Sequence, residues 1–107
     1  MKGDVNNILK RIKIVATDIL PVKSRMYLYG SRARGDYNDS SDWDMIIILN
    51  KDKATREDYD KYAFPFYMLG AELKEIFSPL VYGAAQWRDM SMSPFYQNVQ
   101  NDKIVIV

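Results

Sequence analysis

The run Trp43-Asp44-Met45-Ile46-Ile47-Ile48-Leu49 constrains this chain more than any other stretch. Five consecutive apolar residues, most of them β-branched, do not alternate with polar ones. A strand of that kind is buried on both faces, so the sheet that contains it needs cover on both sides. The rest of the chain supplies candidates for that cover. Residues 5–19 place Val5, Ile8, Ile12, Val15 and Ile19 at helical spacing, with Lys10, Arg11 and Lys13 elsewhere, and Pro21 follows as a stop. Residues 25–29 read as a short strand ending at Gly30. Residues 55–77 read as a helix that Pro65 should break or kink. Residues 79–86 read as a third strand and 94–101 as a helix with Pro94 in its first turn. KIVIV at 103–107 reads as a last, edge strand, open to pairing with another chain and so to homo-oligomer formation. The order α-β-β-α-β-α-β predicts one α/β (α+β) domain over 1–107, a mixed sheet of about four strands flanked by helices.

Composition narrows the chemistry. The 107 residues include no Cys and no His, which removes disulfides, cysteine nucleophiles, histidine bases and Cys/His zinc sites. Any metal must be held by hard oxygen ligands. The net charge of +1 offers no global positive field for nucleic acid or a membrane surface. No apolar run approaches the ~20 residues that span a bilayer. The N-terminus lacks a signal-peptide pattern, and with no cysteine the expectation is a cytoplasmic protein.

The chemistry concentrates in residues 30–44, GSRARGDYNDSSDWD. Asp42 and Asp44 lie two apart at a strand start, so both point to one face and Trp43 to the other. Two carboxylates ~5 Å apart repel by about 3 kcal/mol at an effective dielectric of ~20, and a divalent cation is the simplest remedy. Paired aspartates on one face also suit two-metal phosphoryl transfer. Asp36 and Asp39 read as plain loop, and so does Tyr37. Gly30-Ser31 follows a strand directly: Gly permits a tight turn, and Ser suits the N-cap of a short helix. By itself Gly-Ser is better explained by an ordinary strand–turn–helix with solvated arginines. Three other motifs fail. Asp36-Tyr37 stand where a P-loop needs Lys-Ser/Thr, and Ser41 and Ile47 break a calcium loop. Asp-x-Asp also marks nucleotide-sugar glycosyltransferases, for which the chain is short.

Taken together, Gly30-Ser31, ten residues and Asp42-x-Asp44 resemble the signature of the polymerase-beta-like nucleotidyltransferase superfamily, in its minimal nucleotidyltransferase branch. The resemblance implies that Gly30 and Ser31 hold a triphosphate tail, that Arg34 and Arg32 face the phosphates, and that Asp42 and Asp44 are catalytic magnesium ligands. It implies ATP or another NTP as substrate, two magnesium ions, NMP transfer to a hydroxyl of a protein or small molecule, and pyrophosphate release. It further implies a helical partner of the HEPN type, with the nucleotidyltransferase as antitoxin. The superfamily carries a third carboxylate on the strand after its second helix. Here Ser78-Pro79-Leu80-Val81-Tyr82 has none, and the nearest acids are Glu72, Glu75 and Asp89. A weakly active or inactive nucleotide- and partner-binding module therefore stands as the alternative.

Overall fold

The computed structural model describes residues 4–107; residues 1–3 of the expected domain lie outside them. Helix α1 (Val5–Ile19) opens on Asp4, whose carboxylate accepts the Asn7 amide at 2.8 Å. It ends at Leu20, held extended as the residue before a proline should be. Strand β1 (Arg25–Tyr29), the single-turn helix α2 (Ser31–Arg34) and strand β2 (Trp43–Leu49) follow. Next come α3 (Arg56–Leu73), β3 (Phe77–Gly83), α4 (Ala84–Asp89), α5 (Pro94–Asp102) and β4 (Ile104–Val105). The sheet order is β3-β2-β1-β4, antiparallel except for β2 beside β3.

The β2 run does what its composition requires. Trp43, Met45, Ile47 and Leu49 pack into the layer of α1 and α3, together with Ile8, Ile12, Tyr62, Phe66 and Leu69. Ile46 and Ile48 face the other way, into a smaller layer with Tyr27, Trp87 and Val99. Each such side chain contributes roughly 1.5–3 kcal/mol on burial, so covering both faces of one strand anchors the domain.

Three expectations need correction. Pro65 does not break α3. Its missing N–H frees the carbonyl of exposed Lys61, where water can serve it, while Tyr62, Phe66 and Leu69 bury on a different face. The third strand starts earlier than expected and stops at Gly83, where α4 takes over. Gln86 fixes that switch by accepting the amides of Gly83 at 2.9 Å and Ala54 at 2.8 Å. The terminal ladder is only two residues long, continued by the Ile106 amide donating to the Met26 carbonyl and the Met26 amide to that of Val107. Among the described residues no helix is long and apolar enough to cross a membrane.

Helix α3 starts with a reciprocal cap: Thr55 Oγ1 accepts the Asp58 amide at 3.0 Å and Asp58 accepts the Thr55 amide at 2.9 Å. Lys51 Nζ also reaches Asp58, at 2.7 Å. The ammonium of Lys51, then the Thr55 amide, hold the Asp58 carboxyl below its ordinary range. Such a group stabilises the fold above the unfolded carboxylate pKa and loses that effect as pH falls through the lowered value. Asp58→Asn should therefore lower stability by under about 1 kcal/mol at neutral pH, because Lys51 is largely exposed. Melting curves of the variant and the unaltered chain should converge as acid passes below the carboxylate range. A gap that persists there would contradict the assignment.

Candidate active site

The site forms where β1 and β2 end their antiparallel pairing, with Tyr29 opposite Asp44. At Gly30 the chain turns with φ 77° and ψ −162°, a conformation that only glycine adopts readily. The absent side chain is used: a Cβ at Gly30 would lie 2.4 Å from Asp44 Oδ2. The turn of the Gly-Ser pair and the second aspartate are thus in contact. Ser31 is the first residue of α2 rather than its cap, Gly30 takes the cap position, and no side chain caps the turn. The Ser31 hydroxyl is therefore not spent on capping, contrary to the role expected of it. Gly35, with φ 93°, closes the turn in the left-handed conformation.

Asp44 is half-buried and Asp42 exposed. Burial pushes the Asp44 carboxyl above the ordinary range, the charge of Asp42 adds to this, and Arg34 works in the opposite direction. Arg34 itself bridges Asp36 at 3.2 Å and Asp102 at 2.8 Å, which ties the turn to the end of α5. Opposite Asp44, in parallel register, stands Ser78; its hydroxyl lies 3.5 Å from Asp42 Oδ2, a neighbour rather than a strong hydrogen bond.

Of the expected residues, Gly30, Ser31, Arg34, Asp42 and Asp44 come together and Arg32 does not. Arg32 is 6% exposed, its guanidinium turned beneath the 36–42 loop, against Tyr37 and Trp43, on the other side of the sheet. Tyr37 is accordingly not mere loop. Among the described residues there is no group of three or more acids that could hold a metal. Glu72 pairs with Arg11 of α1, and Glu75 lines a small cleft with Arg32, Val5 and Ile8. Asp89 ends α4.

Two kinds of residue escaped the sequence. Asp102 partners Arg34 from 68 positions away, with no local signal. Tyr29 sits beside Asp44; burial, then the charges of Asp44 and Tyr82, push its hydroxyl up to about 12. Its place directly before Gly30, at the end of a strand, was the available clue.

Comparison with known proteins bears on this arrangement. The model of the nucleotidyltransferase domain family matches residues 8–79. The chain belongs to that family. The matched segment of this nucleotidyltransferase domain runs from α1 to the start of β3 and includes every expected site residue. A search of the curated proteins finds no match. Solved structures share the fold, these three among them. One is a toxin–antitoxin structure with AMP-PNP, 20% identical, covering 92% of this chain and 72% of that one, with TM-score 0.65. Another is the toxin–antitoxin MntA–HpeT, in a variant with two aspartates changed to glutamate. It is 16% identical and covers 98% and 73% of the two chains, with TM-score 0.62. The third is assigned as a nucleotidyltransferase of Sulfolobus solfataricus, 24% identical, covering 97% and 87%, with TM-score 0.57.

Proposed function

We propose that this domain is a magnesium-dependent nucleotidyltransferase that moves an NMP, AMP in the first instance, from an NTP to a hydroxyl on a partner protein or small molecule. The observation that carries it is the packing of Asp44 against Gly30, which puts a paired carboxylate directly beside the Gly-Ser turn. The donor set fits magnesium: two carboxylate oxygens on one face, one of them half-buried beside a like charge. Asp42 and Asp44 would hold the metal, which when bound neutralises phosphate charge and the carboxylates' mutual repulsion. Gly30, by lacking a side chain, lets Asp44 stand against the turn, and the Ser31 hydroxyl and the first amides of the turn donate to the triphosphate oxygens. Arg34 adds a cation on the same side. The acceptor oxygen forms a bond to the α-phosphorus, the bond to the bridging oxygen breaks, and pyrophosphate leaves.

The acceptor's proton needs a base, and here Ser78 stands opposite Asp44 where a third carboxylate would complete the set. That observation favours a second reading, a slow or inactive module that binds nucleotide and a partner. The toxin–antitoxin structures among the fold relatives, one with AMP-PNP, support a partner protein and an adenine nucleotide; a helical partner of the HEPN type belongs to the same reading through the family resemblance alone. The test is to incubate the purified domain with ATP and magnesium, alone and with the product of the neighbouring reading frame, and follow pyrophosphate release. Turnover should be slow alone and rise with the partner. Ser78→Asp should tighten metal binding and raise the rate of the isolated domain, a positioned base being worth ~10²–10⁴. Absence of Mg-ATP binding would refute both readings; binding with no transfer under any condition would select the second.

A further inference from the structure

Arg32 carries chemistry that the site above does not use. Between Gly35 and Trp43 the chain crosses 36–42 without regular structure, and apart from Ser41 these residues are exposed. Their own hydrogen bonds close a small turn: the Asn38 amide donates to Ser41 Oγ at 3.0 Å and the Ser40 amide to Asn38 Oδ1 at 2.9 Å. Arg32 fastens that turn to the fold. Its Nε and Nη2 donate to the Ser41 carbonyl at 3.3 and 3.2 Å, and Nη2 reaches the Asp39 carbonyl at 3.5 Å. The guanidinium also lies 4.5 Å from the centre of the Tyr37 ring and 4.8 Å from that of Trp43.

We propose that Arg32 is a positioning residue of the metal–nucleotide site, clamping the 36–42 loop so that Asp42 enters the sheet beside Asp44. The inference rests on reading Asp42 and Asp44 as that site. The Ser41 carbonyl belongs to the peptide that leads into Asp42, so fixing it fixes where Asp42 begins. Asp42 is exposed and its hydrogen bond with the Ser78 hydroxyl is long, at 3.5 Å, so backbone placement decides where its carboxylate goes. Only a planar fork can stack between two rings and bond carbonyls in its own plane; a lysine keeps the charge and loses both.

The experiment titrates Mn²⁺ alone into the unaltered domain and into Arg32→Met, Arg32→Lys, Tyr37→Phe and Leu49→Val, with melting curves and amide exchange on each. Leu49 is buried at the far end of β2, so its variant destabilises the fold without touching the clamp. Outer groups that orient metal ligands typically govern 10–100-fold in affinity. Both Arg32 variants should weaken Mn²⁺ binding about tenfold or more and speed exchange across 36–42. Tyr37→Phe keeps its ring and should bind as the unaltered chain does. Leu49→Val should melt lower with affinity unchanged. If Arg32→Met does not fold, Arg32→Lys decides. Unaltered affinity in Arg32→Lys would overturn the proposal, as would an equal loss in Leu49→Val at matched melting temperature. Failure of the unaltered domain to bind Mn²⁺ would instead remove the metal-site reading, and the proposal with it.

Discussion

Asp44→Asn should abolish metal-dependent nucleotide binding and transfer while making the metal-free domain more stable at neutral pH. The two effects have one cause. The Asp44 carboxyl is raised by burial and by the charge of Asp42, against the weaker pull of Arg34. An acid whose folded pKa is raised holds its proton longer in the folded state than in the unfolded one. Stability then falls as pH rises from the unfolded carboxylate pKa through the raised value, and the full loss is present above it. Asparagine removes that loss and keeps the shape. The variant should melt above the unaltered chain at pH 7, and the advantage should vanish in acid below the ordinary carboxylate range, where Asp44 is protonated in both states. Saturating magnesium should reverse the order, because only the unaltered chain gains from binding. Activity should drop by ~10² or more, the scale of losing a preorganised charge-stabilising group. Calorimetric melting with and without magnesium, at two pH values, checks all of this. A variant that is less stable without metal, or that still binds Mg-ATP, contradicts the metal-site role.

Much of this arrangement was legible in the chain because it depends on short periods. The two-residue repeat of a strand put Asp44 on the face away from Trp43, although Asp42, expected on the strand with it, lies one residue before β2; the apolar run from Met45 to Leu49 marked its own strand as central. The spacing of Ile8 and Ile12 placed α1 correctly. What stayed hidden is non-local or too short to show a period. Helix α4 has six residues and is set by Gln86 reaching across to Ala54. The phase of Ser78 depends on parallel pairing with β2, which nothing near residue 78 encodes. The two arginines of SRARG look alike in sequence. Two residues apart on a helical turn, they lie roughly 200° apart around its axis, which sends Arg34 toward Asp102 and Arg32 against Tyr37 and Trp43. Charge alone suggested phosphate for both. The resolving fact, a pair of rings flanking one of them, exists only after the loop has folded.

Gly30→Ala should separate folding from function in the opposite way. The residue sits at φ 77° and ψ −162°, so any side chain adds backbone strain of about 1–3 kcal/mol. That strain alone lowers the melting temperature without forbidding the fold. The larger effect follows from the added methyl, which would stand 2.4 Å from Asp44 Oδ2 and 3.3 Å from its Cγ. The obstacle is the end of a side chain, so the fold can yield by swinging the carboxylate aside. That movement takes Asp44 out of register with Asp42 and breaks up the metal-holding pair beside the turn. Mg-ATP binding should therefore fall far more than the stability loss explains, and raising magnesium should not restore it. Gly35→Ala is the matched control: Gly35 has φ 93° but nothing within 4 Å of its added Cβ, so it should show the strain and keep most of the binding. Titration calorimetry beside melting curves for the two variants decides the point. Equal losses of binding in both would mean that strain in the turn, and not the contact between Gly30 and Asp44, governs the site.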